Sequence, residues 1–529
     1  MESMLAKFAS LWPEIALLVG ACLCLVTGLH ASGAVRRATP WVAAAALVAA
    51  GILIPITGMP YSELGFGAMA VYIKYAAVAV GLLLLMVAAG VPEQLKQNRL
   101  AESAKVFDAG RTTRGEFYAF FLLSIVGVMI TAGADDLVWL FLALELTSLP
   151  TYVMVATARD RIAAQESAVK YFFLGAMSAA VFLYGFTLIY GATGFTSFVV
   201  VDPDTGEMVG GIYHVAQEQI AAGRLSPLLT AGLVLSILGI CFKIAAFPMH
   251  FYAADVYQGA TTAVTTLLAF VPKTAGFVAL VYLVGLVGWE PMPPVIAGLL
   301  WGLAAVTMTV GNVLALLQTN VKRVLAYSSI AHSGYMLVGL LAGPAVAGGS
   351  SLNNGIAALL FYLVAYGLAT LAAFGVLGCL QSRGDEAETY DDIAGLRHRS
   401  PMLAAILVLS MISLLGLPPL VGFLGKLYLI GAAYSADFAG NIALIVLLVL
   451  NSAISAAYYI GIASVAFFGK PSPQVTMPHL PARGLAAGLA AIFALILGLA
   501  GTQLVDYAHD ATAATPPAVI DADATAAAE

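Results

Sequence analysis

Fourteen mostly apolar stretches, each long enough to cross a bilayer, constrain this chain more than any other feature. A helix rises about 1.5 Å per residue, so about 20 residues cross the roughly 30 Å of hydrocarbon. The stretches are 11–29, 40–58, 68–91, 115–133, 136–157, 165–192, 226–247, 252–286, 294–316, 320–342, 353–380, 402–433, 439–468 and 482–503, numbered here as spans 1 to 14. Backbone groups in lipid must bond within their own segment, so the expected fold is an all-α polytopic membrane protein. The composition agrees, with 61% of the 529 residues hydrophobic and 10% charged. A soluble domain runs nearer a quarter charged. Soluble enzymes, nucleic-acid binders and disordered scaffolds are thereby excluded. Pro13 and Glu14 stand where the apolar core of a cleaved signal would begin, so the first stretch reads as a span.

Lysine and arginine in loops set orientation. Sixteen fall in odd-numbered loops, among them Arg36, Arg37, Lys96, Lys322, Arg323, Arg397 and Arg483, while even loops and termini hold only Lys7 and Arg224. Odd loops are therefore expected in the cytoplasm and both termini outside. Five lysines remain inside spans (Lys74, Lys170, Lys243, Lys273 and Lys426), against a single mid-span acid, Glu145. An intramembrane charge costs about 2.5–3.5 kcal/mol even on an insertion scale, so these residues are candidates for function.

Two stretches share a layout. Lys243 precedes Pro248 in span 7, and Lys426 follows Pro418 and Pro419 in span 12. Five spans separate them, so the two helices run in opposite directions, which predicts inverted repeats over spans 4–8 and 9–13 with spans 7 and 12 broken. The expected organisation is a three-helix segment (1–114), a first repeat (115–286), a second repeat (294–468), span 14 (482–503) and a disordered tail (504–529). Proline frees the carbonyl four residues earlier, here Ile244, Leu268, Leu414 and Leu415. Such groups are tolerated at membrane depth only when protein or water satisfies them, which makes a broken helix a place for a proton path.

Glu145 and Lys243 form the expected pair. Burial disfavours a charged amine and a nearby carboxylate favours it, so making or breaking this pair changes the lysine's hold on a proton. Lys273 and Lys426 have no acid within helical reach and suit a relay. Lys170 lies near an end of span 6, where a side chain can reach the interface, and Lys74 near the outer end of span 3 is expected to snorkel. His250 and His332 are possible accessories, and Tyr252, Asp255 and Tyr257 could line a cytoplasmic mouth. The four cysteines show no C-x-x-C spacing and the seven histidines no i, i+4 pair, so no metal or redox centre is expected in this chain. Loop 381–401 is a candidate for docking a neighbouring subunit.

ALELTSLPTYVMVA, ARDRIAAQESAVKYFFLGAMSAA, FKIAAFPMHFYAADVYQGA, FVPKTAGF and LLGLPPLVGFLGKLYL resemble the antiporter-like subunits of proton-pumping NADH:quinone oxidoreductase, respiratory complex I, and among them subunit N. The resemblance implies a relay of Glu145, Lys170, Lys243, Lys273 and Lys426, with Lys170 near the Glu145–Lys243 pair. A lysine in span 12 and the end of the chain soon after span 14 set it apart from the related pump subunits. It further implies no redox chemistry in this chain, with flavin, iron–sulfur clusters and quinone in partner subunits of the membrane and peripheral arms. A bacterial cytoplasmic-membrane location with periplasmic termini follows. The rivals are a subunit of a multisubunit cation/proton antiporter or membrane-bound hydrogenase, and a structural anchor without transport.

Overall fold

The computed structural model describes residues 9–57, 67–89, 109–157, 162–202, 208–345, 350–382, 385–436, 438–478 and 480–512. Twelve helices among them are long and apolar enough to cross a membrane. They run Trp12–Leu29, Gly33–Thr57, Gly67–Ala88, Ala109–Ala132, Leu137–Thr157 and Ile162–Thr193 for spans 1 to 6. Thr262–Gly285, Pro294–Leu316, Val321–Ala342 and Gly355–Leu377 form spans 8 to 11, and Asn441–Phe468 and Pro481–Ala500 form spans 13 and 14. Spans 7 and 12 are built from shorter pieces.

Span 7 starts as the helix Pro227–Ile240, continues as turns over residues 241–252, and resumes as the short helix Ala253–Gly259. The expected long stretch 252–286 is therefore two elements, and its break falls at Ala260–Thr261 rather than at the proline. Pro272 lies inside a helix whose every residue is buried. Packing on all sides holds that helix together where proline removes a rung. In span 12, Pro401–Leu415 stops at Gly416, and Val421–Ser435 begins after the two prolines. The carbonyl of Leu415, expected to be freed, accepts bonds from Lys426 Nζ at 2.8 Å and Ser452 Oγ at 3.3 Å. That of Ile244 accepts the hydroxyl of Ser333.

Span 8 is buried over its whole length. A helix apolar all round has no face for solvent, so it is enclosed. Spans 10 and 11 are almost as buried, whereas spans 1, 2, 6, 13 and 14 leave long apolar faces outward. Gly276 lets the broken part of span 7 approach span 8, since a Cβ there would lie 2.7 Å from Ile244 Cγ2 and 3.0 Å from Lys243 Cβ. Outside the spans, β1 (Val200–Val201) pairs antiparallel with β2 (Met208–Gly210). In a second sheet β3 (Gln381–Ser382) lies between β4 (Asp385–Glu386) and β5 (Val475–Thr476). The tail is helical over Thr502–Thr512, where Asn354 Nδ2 bonds His509 Nδ1 at 3.0 Å and Thr512 Oγ1 at 2.9 Å. The expectation of disorder from residue 504 is thus corrected as far as 512, and its remainder lies outside the described residues.

Candidate proton pathway

The Glu145–Lys243 pair forms as expected. Span 5 presents Glu145 toward the break in span 7, and Lys243 Nζ stands 2.9 Å from Glu145 Oε1 and 2.7 Å from Ser148 Oγ. The amine is buried, while the carboxylate keeps 16% of its side chain exposed.

Lys273 Nζ, on span 8, donates to Ser329 O at 2.6 Å and Ser329 Oγ at 2.7 Å, and lies 4.7 Å from the ring centroid of Tyr366. Lys426 Nζ bonds Ser452 Oγ at 2.7 Å in addition to Leu415 O. Neither lysine makes an ion pair among the described residues, so each charge is met by hydroxyl and carbonyl dipoles. Polar side chains fill the intervals. Ser333 on span 10 links Ile244, next to Lys243, with Ser329, the partner of Lys273. Beyond Lys273, His332 bonds Tyr362 OH through Nδ1 at 2.8 Å and Tyr459 OH through Nε2 at 2.9 Å. Its ring also packs on Tyr366 and Tyr335, and Lys426 Nζ is 5.0 Å from the Tyr335 centroid. The row is thus a line of buried hydroxyls, phenols and one imidazole between amines.

Two expected members lie elsewhere. Lys170 is 43% exposed and bonds Glu166 at 2.7 Å and Asp255 at 2.9 Å, not Glu145 or Lys243. His250 packs against the rings of Phe247 and Phe251 and is not brought to the lysines among the described residues. Asp255 also binds Arg323 Nη1 at 2.7 Å, which joins spans 6, 7 and 10 at one carboxylate. Tyr257 OH reaches Ser329 Oγ at 3.4 Å, while Tyr252 OH donates to Phe242 O at 2.8 Å.

The snorkelling expected of Lys74 is overturned. Its amine is 2.7 Å from Glu14 Oε1 and 3.1 Å from Ser10 O, with both side chains of the ion pair only 4% exposed. Glu14, which in the sequence served only to argue against a cleaved signal, is the missed partner. Lys322 and Arg483, read as loop residues, are also buried. Lys322 pairs with Glu386 at 2.7 Å, and Arg483 donates to Val87 O at 2.9 Å and Gly378 O at 2.8 Å. A cation in the first turn of a helix faces the positive end of the macrodipole, and that placement of Lys322 was the available signal of a partner acid.

Comparisons with known proteins show the family and the fold. Residues 134–455 match the family described as NADH:quinone oxidoreductase/Mrp antiporter, transmembrane. The chain is 35% identical to NADH-quinone oxidoreductase subunit N of Trichlorobacter lovleyi over 505 residues, covering 94% of this chain and 96% of the relative. A chain of respiratory complex I from Thermus thermophilus with bound aureothin superposes with a TM-score of 0.71 at 30% identity, covering 93% of this chain and 98% of that one. A chain of the Mrp complex from Dietzia sp. reaches a TM-score of 0.75 at 20% identity, over 96% and 97% of the two chains, a likeness of fold alone.

Proposed function

This chain belongs to the NADH:quinone oxidoreductase/Mrp antiporter family, and from that premise we propose that it is a proton-translocating membrane subunit of NADH:quinone oxidoreductase in a bacterial membrane. It works among the other membrane and peripheral subunits of respiratory complex I. Electron transfer from NADH to quinone proceeds in those partners, which carry the flavin and iron–sulfur clusters. Its free energy moves protons through this chain from the cytoplasm to the periplasm, where both termini lie. The concentration of loop lysines and arginines on one side supports that orientation.

The observation that carries the reading is the pairing of Lys243 with Glu145 beside two buried lysines that make no ion pair among the described residues. With the pair closed, the carboxylate stabilises the ammonium and Lys243 holds its proton. With the pair open, the same buried amine is charged at a cost, and passing the proton onward relieves it. Lys273 and Lys426 are then acceptors in turn, with Ser329, Ser333, His332 and the tyrosines around it as the polar steps. Lys170 at the rim, bonded to Asp255, is suited to the uptake side.

The test is Lys243→Ala in the assembled complex, read as acidification of inverted membrane vesicles during NADH oxidation. Assembly is expected to persist and proton translocation to fall severely. Full pumping would overturn the relay and leave a structural anchor. The antiporter reading is separated by purification from native membranes in mild detergent, because co-purification of flavin and iron–sulfur subunits with NADH:quinone activity belongs to the oxidoreductase alone.

A further inference from the structure

The strip Glu386–Thr389, between spans 11 and 12, touches the first turns of two other helices. One is span 8, which carries Lys273, and the other is span 10, which carries Ser329 and His332. Span 8 is preceded by Thr261, whose side chain makes no cap bond. The cap comes from across the molecule instead. Glu386 Oε2 accepts the backbone N–H of Thr262 at 2.7 Å and its hydroxyl at 2.6 Å. The same oxygen accepts Lys322 Nζ, from the first turn of span 10, at 2.7 Å. The strip continues onto that helix: the carbonyl of Glu388 accepts the N–H of Val321 at 2.7 Å, and Thr389 pairs with Asn320 in an isolated bridge. One carboxylate oxygen therefore ties the starting points of both helices, and the side chains of Thr262, Lys322 and Glu386 are all buried.

We propose that Glu386 is a positioning residue for proton translocation, its carboxylate fixing the register of span 8 against span 10 and so holding Lys273 on Ser329. The inference rests on the reading of Lys273 as a relay group. Lys273 lies eleven residues beyond Thr262 and Ser329 eight beyond Val321, so by helix rise the contact sits about 16 Å and 12 Å from the two anchored starts. A slip of either start by one residue shifts that meeting point by about 1.5 Å. Pro272, immediately before the lysine, removes a rung from the helix ladder, so register depends the more on the anchored end. Displacements near 1 Å cost about a hundredfold in well-organised sites.

The experiment compares Glu386→Ala, Glu386→Gln, Lys322→Met and the double variant Lys322→Met/Glu386→Ala in the assembled complex. Assembly is read on native gels, and NADH-driven proton translocation in vesicles from pH 6 to 9. Glu386→Ala is expected to lower translocation about tenfold or more and displace its pH profile. Glu386→Gln, which keeps an oxygen for Thr262, is expected to recover part of the loss. The double variant removes both partners of the 2.7 Å pair, leaving only the longer contact of Lys322 with Glu388, at 3.9 Å, unmade, yet is expected to remain impaired, because the cap on span 8 is still absent. An unchanged rate and profile in Glu386→Ala, or full recovery in the double variant, would overturn the proposal. If Glu386→Ala does not assemble, Thr262→Val removes the hydroxyl donor alone. It is expected to shift the profile in the same direction, and an unchanged profile there counts against the proposal. Lys273→Ala separates the two levels. Normal pumping in that variant defeats the relay reading, whereas impairment there beside a normal Glu386→Ala defeats only the positioning role.

Discussion

Gly416→Ala places a single methyl group beside Lys426 without altering any titratable residue. Gly416 ends the first half of span 12 in the left-handed region, at φ +85°. A Cβ there would stand 2.8 Å from Lys426 Cδ, 3.2 Å from its Cε and 3.3 Å from its Nζ. Two costs follow and they fall on different things. The backbone strain of alanine in that region is about 1–2 kcal/mol, well inside the 5–15 kcal/mol margin of a folded domain, so the subunit still folds and assembles. The overlap is with a flexible side chain, which relieves it by swinging away. That takes the amine off Leu415 O and Ser452 Oγ, which now hold it at 2.8 and 2.7 Å. Hydrogen bonds to a charged group contribute about 1.5–3 kcal/mol each, and about 1.4 kcal/mol is a tenfold change in rate. Gly416→Ala is therefore expected to assemble normally and to lose at least about tenfold in vesicle acidification per unit of NADH dehydrogenase content. Gly302→Ala is the control, because a Cβ at that helical glycine meets nothing within 4 Å. Proton translocation in Gly416→Ala equal to that of Gly302→Ala would refute the argument that the lysine's placement over the break matters.

The buried pair at the other end of the chain makes a prediction about stability. Lys74→Met strands the Glu14 carboxylate, whose oxygens have no hydrogen-bond partner beyond the lysine's charge among the described residues, and is expected to cost about 3–5 kcal/mol, read as a fall in the thermal midpoint of the purified complex. Lys74→Met with Glu14→Gln is expected to recover most of that loss, and a double variant as unstable as the single would show that packing, not charge, is at stake. At the strip after β4 the expected cost is independent of pH above the carboxylate range. Burial pushes the Asp392 carboxyl up, but hydrogen bonds from Ser382, from the N–H groups of Thr389 and Glu388 and from the Thr389 hydroxyl outweigh it and hold it below the usual carboxylate range. A depressed carboxyl stabilises the fold above the unfolded value of about 3.9 and ceases to as pH falls through the folded value, so Asp392→Asn should raise amide exchange at Glu388 and Thr389 equally at pH 6 and pH 8. A cost that grows between those two pH values would contradict the assignment.

How much of this was legible in the sequence depended on whether the signal ran along the chain or across it. Twelve spans could be read because a bilayer imposes a length, and length is written in consecutive residues. The breaks were harder. Prolines marked spans 7 and 12 correctly, but Pro272 lies within an unbroken helix enclosed on every side, while the chain turns at Ala260–Thr261, where no proline stands. Proline weakens one rung, and whether the helix then breaks is decided by neighbours distant in sequence. The same division separates the charges. Glu145, Lys243, Lys273 and Lys426 stood out because a charge amid an apolar run is costly wherever it points. The partners of Lys74 and Lys322 did not, because near the end of a span a lysine can reach water, and along one dimension that alternative cannot be told from burial against Glu14 or Glu386, each about 60 residues away. One criterion does divide the two cases. A snorkelling lysine is expected where the helix dipole is neutral or favourable to it, whereas Lys322 occupies the first turn of span 10, against the dipole's positive end. A basic residue so placed, with a short acidic segment such as Asp385–Glu388 elsewhere on the same side of the membrane, points to a buried pair on the strength of residue order alone.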